Sequence, residues 1–379
     1  MKLSLFSFIV AVVWNNVFIV ILYIGRKKVI FNKSFGVASV AALYGFSVFR
    51  MLFPLEFPFT AVVDSHGVYS NIVDALYYTI GSEPGGLNVL KGLCAVWFLG
   101  SLIFLFSTAR RYIHAVIKYR RMKPAEDKQM KAVSKNVQKA YGRPMEAVII
   151  RDKAFPGPMS FGLIRKYILL PTYPMNDQEL YYVLAHEYIH LKSRDQWVKL
   201  LSTLYCNIFW WNPFSYLLEK DLAQSLEIMC DQRTTKGWPA EDKGNYMNMI
   251  IRDVKQKNGY EWIGDALSLA GTEDKALIKE RFHWIMNPPP EKANKAMWAV
   301  VLLVFVFSYS FVIQSAYDPP IEEIETEAGA YEILDEDVYI RRNENGEYEF
   351  VSPYGSVVIS DEKAEEYIKN GFTYEGEEY

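Results

Sequence analysis

Four apolar stretches, at residues 3–24, 35–54, 90–106 and 297–316, limit this chain to folds that separate lipid-facing helices from wet domains. A helix needs about 20 apolar residues to cross the hydrocarbon layer of a bilayer. The rest of the composition agrees: 51% of the residues are hydrophobic, yet mean hydropathy is −0.01, so polar residues must be concentrated elsewhere. Basic residues fix the direction of the spans. GRKK (25–28) follows the first run and Lys33 precedes the second; ARRYIHAVIKYRRMK (109–123) follows the third, and Lys292 and Lys295 precede the fourth. With these clusters on the cytoplasmic side, both termini lie outside and residues 109–296 form one cytoplasmic segment. The first run is too long, and too lacking in a small-residue cleavage site, for a signal peptide. Asn15 and Asn16 inside it are costly against lipid, so they are expected to face another helix.

The expected organisation is three spans within 1–108 with an outer loop at 55–89, a cytoplasmic domain at 109–296, a fourth span at 297–316 and an outer tail at 317–379. The tail holds 19 acidic and 4 basic residues, although the whole chain has a net charge of only −3. Tail and body are therefore electrostatically different. Three cysteines, Cys94, Cys206 and Cys230, are too few and too scattered for a disulfide framework or a cysteine metal site.

The chemistry is concentrated in VLAHEYIHLKSRDQW (183–197). On a helix, residues four apart project on nearly the same side, so His186 and His190 can share one ion with Glu187 beside them. This is the zinc-metalloprotease arrangement of two histidine ligands and a general base. Asn176 as N-cap and Glu179 three residues later predict a capping box at the start of that helix, and Pro174 is expected to stop the strand before it. A catalytic Zn²⁺ needs a third protein ligand and an open position. In LEIMCDQR, Glu227 is the expected ligand and Asp231 an acceptor that orients a ligand histidine. Asp195 either does the same or pairs with Arg194. Cys230 is expected to pack rather than bind. Upstream, MEAVIIRD (145–152) and SFGLIRKYILLP (160–171) read as strands. An edge strand within 160–170, with Ser160, Phe161 and Gly162, is the expected substrate-binding element, acting by strand addition. Tyr205, Tyr246 and His283 remain open as oxyanion stabilisers.

FGLIRKYILLP, HEYIHLKSRD, WWNPF (210–214) and EIMCD, in that order and framed by apolar runs, resemble the BlaR/MecR-type antirepressor metalloproteases, bacterial membrane gluzincins that sense cell-wall antibiotics. The resemblance covers residues 1–316. It implies a multi-span helical membrane protein of the bacterial plasma membrane, with a cytoplasmic α+β zincin-like domain and signal transduction by proteolysis. By position it implies His186, His190 and Glu227 as zinc ligands and Glu187 as base. The implied substrate is a winged-helix repressor of the BlaI/MecI type or the chain itself, with a self-cleavage site at about 266–274; a homodimer is also implied. The chain departs from the family pattern in the tail. SDEK (360–363) matches S-x-x-K, but S-D-N and K-T-G are absent and 63 residues after Ala316 leave no room for a penicillin-binding domain. No covalent β-lactam binding is expected. The tail reads instead as a three-stranded meander plus one helix starting at Ser360. Other readings are a housekeeping protease resembling HtpX and a non-cleaving zinc-domain receptor, the latter disfavoured by an intact Glu187. The basic stretch 118–131 suits anionic membrane lipid better than nucleic acid.

Overall fold

The computed structural model describes residues 2–26, 37–65, 68–80, 87–125, 127–142, 146–257, 275–288, 295–315, 339–343, 346–352, 355–369 and 373–375. The expected self-cleavage stretch at 266–274, and most of the first basic cluster, lie outside these residues. The chain divides into two units, Met1–Ser315 and Ala316–Tyr379.

In the first unit, two described helices are long and apolar enough to cross a membrane: α1 (Leu5–Arg26) and α4 (Val89–Arg121). Between them lie α2 (Val37–Leu52) and α3 (Val68–Tyr77). Asn15 is fully buried, and its side-chain oxygen accepts from Ser47 of α2 at 2.8 Å and from Tyr205 at 3.0 Å. The polar residue inside the first apolar run therefore faces other helices, with its oxygen satisfied, as its cost in lipid requires. Tyr205 is committed to this contact and so is removed from the oxyanion candidates. At 33 residues, α4 is about 50 Å long by helical rise, well beyond the hydrocarbon thickness. Its last turns leave the apolar run and enter a hydrophobic core, where Ala115 and Tyr119 pack with Ile150, Phe155, Phe161 and Tyr167.

After α5 (Lys128–Tyr141), a three-stranded sheet forms in the order β6-β8-β7. Short strands precede it: β1 (Lys2–Leu3), β2 (Leu55–Glu56), β3 (Ala61–Ser65), β4 (Thr79–Ile80) and β5 (Leu87–Asn88). β6 (Ala147–Arg151) runs parallel to β8 (Lys166–Leu170), and β7 (Met159–Phe161) is antiparallel to β8 at the sheet edge. The second predicted strand is thus two strands joined by a tight turn, and Ser160 and Phe161 lie on the edge while Gly162 lies in the turn. Gly162 has φ +101°, and a Cβ there would stand 2.0 Å from the Arg165 carbonyl oxygen. Only glycine lets the chain reverse at this point. β8 ends at Leu170, directly before Pro171 and earlier than Pro174.

Next comes α6 (Asp177–Ser193), opened by the expected capping box: Asn176 accepts from the Glu179 amide, and Glu179 returns to the Asn176 amide. Arg194, at φ 60°, separates α6 from α7 (Asp195–Ile208). In WWNPF, Asn212 caps α8 (Pro213–Thr234) with Pro213 at its first position, a favoured helix start. α9 (Ala240–Lys257) and α10 (Lys275–Met286) complete the layer around α6. α6 is the central element, with His186, Glu187 and His190 among its buried residues.

The fourth apolar run departs from expectation. α11 (Lys295–Phe307) ends after 13 residues, about 20 Å. Phe311–Ser315 then forms β9, parallel to β3 (Ala61–Ser65). The β-branched and aromatic residues after Phe307 suit a strand, and β3 supplies the ladder that makes one. The second unit forms a sheet ordered β12-β11-β10-β13. Tyr339–Arg342 (β10), Tyr348–Ser352 (β11) and Gly355–Val358 (β12) form the expected meander, and Thr373–Glu375 (β13) adds a parallel fourth strand. α12 (Asp361–Lys369) packs Tyr367 on Phe350.

Replacing Gly162 with alanine is expected to cost about 1–3 kcal/mol through backbone strain. Thermal unfolding of the full chain in detergent checks this, and an unchanged midpoint would contradict it.

Candidate metal centre

α6 is capped and buried, and it presents His186 and His190 one turn apart with Glu187 directly after the first. His186 Nε2 and His190 Nε2 stand 3.0 Å from each other. Protons decide what this closeness means. His190 Nδ1 is 2.7 Å from Asp195 Oδ2, and a carboxylate can only accept. Nδ1 therefore carries the hydrogen and Nε2 is left with its lone pair. His186 reaches the same state through an intermediary: the Tyr246 hydroxyl donates to Asp231 Oδ1 at 2.6 Å, so it accepts from His186 Nδ1–H at 2.7 Å. Asp231 also lies 3.3 Å from His186 Nδ1. The two Nε2 atoms thus converge at 3.0 Å, a separation satisfied by a proton shared between the rings or, when both lone pairs are free, by a metal ion.

Glu227 of α8 closes the triangle. Its Oε2 is 3.4 Å from His186 Nε2, and its Oε1 is 3.5 Å from His190 Nε2. A tetrahedral zinc with bonds of about 2.0–2.1 Å has ligand atoms about 3.3 Å apart. The three observed separations fit one face of such a site. Glu187, next to His186 on α6, is 6% exposed.

Cys230 is buried, as expected, and it also stands close to both histidines. Its sulfur lies with one ring nitrogen of each histidine in a group whose atoms are all within 4.8 Å of one another. The thiol donates to the His186 carbonyl at 3.2 Å. Glu227 and Cys230 are three residues apart on one helix, so both necessarily face α6. Burial pushes the Cys230 thiol up, and the two imidazoles more than reverse this.

Further charges that the sequence did not single out surround these groups. Arg281 of α10 holds Asp231 with two bonds, 2.7 Å from Nε and 2.9 Å from Nη2. Burial works against the Asp231 charge, but Arg281 and His186 hold its carboxyl down to about 2. Its contribution to folding is therefore present above the usual carboxylate value near 3.8 and is lost as the pH falls through about 2. Lys199 of α7 is 3.4 Å from Glu227 Oε1. Burial lowers its ammonium, and Glu227, Asp195 and Glu187 together raise it above the ordinary value. Burial likewise opposes charge on both imidazoles, and the neighbouring groups outweigh it: Cys230, Tyr246 and Asp231 at His186, and Cys230, Glu227 and Asp195 at His190. The field at this point favours a positive charge. Of the oxyanion candidates, Tyr246 proves to be the acceptor behind His186, and His283 lies with its ring against Trp284.

Residues 59–285, more than half of the chain, match the family described as BlaR1 peptidase M56. The chain belongs to that family. It is 27% identical over 235 residues to the methicillin resistance mecR1 protein of Staphylococcus aureus, a match covering 60% of this chain and 39% of that protein. It is 25% identical over 213 residues to the regulatory protein BlaR1 of Bacillus licheniformis, covering 55% of this chain and 35% of that protein. The matches thus span well under half the length of these relatives. Peptidase family membership and the clustered histidines are in accord on a metal-dependent hydrolytic site.

If the Nδ1 acceptors set the histidines, Asp195→Ala and Tyr246→Phe should each weaken zinc binding about 10- to 100-fold. Competition with a fluorescent chelator measures this, and wild-type affinity in both variants would refute it.

Proposed function

We propose that the chain is a membrane-embedded zinc metalloendopeptidase that transmits an extracellular signal by cleaving a cytoplasmic transcriptional repressor, a winged-helix protein of the BlaI/MecI type, or itself. The observation that carries this reading is the convergence of His186 Nε2, His190 Nε2 and the Glu227 carboxylate beside an acid, Glu187, that is not needed to hold an ion. A structural site would be complete without that acid. Zinc bound by these three residues would supply a polarised carbonyl and a water acidified to a pKa of about 7. Glu187 then takes the proton from the attacking water and returns it to the leaving amine. Asp195 and the Tyr246–Asp231 pair keep the histidines in the tautomer this requires. Lys199, against Glu227, balances part of the anionic charge.

Edge strand β7 is suited to align an extended substrate by strand addition. Gln196 at the start of α7 donates to the Ser160 carbonyl at 2.8 Å, which pins the strand beside the helix pair that carries the site. In this reading Ser160 and Phe161 form the aligning edge, while Gly162 shapes its turn. The proposed topology puts α1, α2, α4 and α11 in the plasma membrane of a bacterium, the metal centre in the cytoplasm and both termini outside. The reading of α4 rests on its length, since it runs from the apolar stretch directly into the core that holds Phe161.

The test is coexpression of the full chain with winged-helix repressors of its host, comparing wild type with Glu187→Gln. Fragments of a repressor or of the chain, mapped by terminal-peptide mass spectrometry, are expected to fall at least about 100-fold in the variant while its zinc content is unchanged. Equal fragments from both proteins would overturn the assignment.

A further inference from the structure

A recess of about 450 Å³ opens at the N-terminal end of α6, bounded by Val133 and Asn136 of α5, Trp238, and Asp242 of α9. One wall is aromatic: the half-buried rings of Trp238 and Tyr181 stand 6.3 Å apart, and Tyr182, buried behind them, packs its ring 5.0 Å from Trp238. Two carboxylates, Asp177 and Asp242, share the lining with these rings. Asp242 Oδ1 accepts from Tyr182 at 2.8 Å and from Gln178 at 3.1 Å, and Asp177 accepts from Gln129. Among the described residues neither carboxylate has a cation within ion-pair distance. Their charge is thus held in place by neutral donors but not neutralised.

π faces next to an unneutralised carboxylate form the surface that favours a guanidinium or ammonium group. An anionic ligand would be repelled, and a purely apolar one would desolvate the carboxylates without compensation. The acidity is local rather than general, because the acidic excess of the chain lies in residues 317–379 and the remainder is net basic. The size suits one long side chain with its flanking backbone. Tyr182 and Trp238 also stand 6.1 and 5.7 Å from the ring of Tyr246, whose hydroxyl carries His186. The recess therefore lies one aromatic layer behind the metal centre.

We propose that this recess is a docking site for a cationic side chain, an arginine or lysine on an exposed segment of a protein partner. The proposal goes beyond the peptidase reading and does not require that the partner be cut.

The test uses the full chain in detergent, labelled with 5-fluorotryptophan, with the Trp238 resonance identified by its loss in Trp238→Phe. The probes are a capped pentapeptide with one central arginine and the same peptide with neutral, nearly isosteric citrulline. The Trp238 signal is expected to move saturably with the arginine peptide and not with the citrulline one. Asp242→Asn, which keeps an oxygen to accept from Tyr182, is expected to weaken that binding about tenfold while leaving the other fluorotryptophan signals in place. An unmoved Trp238 signal, equal shifts with both peptides, or undiminished binding by Asp242→Asn with its other signals unchanged would each overturn the proposal.

Discussion

Two Nδ1–H donors fix the chemistry of the centre. Because His190 gives its Nδ1 proton to Asp195 and His186 gives its own to Tyr246, neither ring is free to turn its lone pair away from the other. The Nε2 atoms approach to 3.0 Å, a separation that a shared proton or a bound metal ion satisfies, and Glu227 faces the same point. The acceptors are anchored in turn. Asp195 starts α7 immediately after the left-handed Arg194, and Tyr246 is held by Asp231, which Arg281 grips with two bonds. Each layer removes a rotation from the layer inside it, which is how a fold pre-organises a metal site.

The same helices tie this centre to the apolar helices. Asp221 of α8 accepts from Arg26 of α1 at 2.7 Å and from Tyr44 of α2 at 2.6 Å, and Arg26 also pairs with Glu280 of α10. Glu227, Cys230 and Asp231 follow Asp221 on α8, and Arg281 follows Glu280 on α10. Each of these two helices is thus bonded to α1 through one residue, Asp221 or Glu280, and to the metal-centre cluster through others further along it. Arg26 is paired with Asp221 and Glu280, and Arg281 with Asp231, as charges removed from water require.

Features set by local chemistry were legible in the sequence. The capping box at Asn176 and Glu179 needs only four consecutive residues, and the pairing of His186 with His190 follows from helical pitch alone. Asp195 was readable as a candidate because it follows His190 by five residues, just beyond the helix end. Contacts set by packing between distant elements were not legible. Arg281 reaches Asp231 across 50 residues, and Lys199 meets Glu227 only because α7 folds back on α8. The apolar periodicity of 160–171 concealed a turn that Gly162 alone permits, and the end of α11 at Phe307 depends on β3, some 250 residues earlier. Cys230 was legible in principle, since it shares a helix face with Glu227, but composition argued against a cysteine site and spacing alone could not rank the two donors.

That ranking is the most direct test of the account. X-ray absorption at the zinc K-edge, on the purified full chain loaded with one equivalent of zinc, reads the atoms bound to the ion. Coordination by His186, His190 and Glu227 predicts a first shell of nitrogen and oxygen at about 2.0–2.1 Å, with outer scattering from imidazole rings. A sulfur shell at about 2.3 Å that disappears in Cys230→Ser would contradict it and give the third position to Cys230.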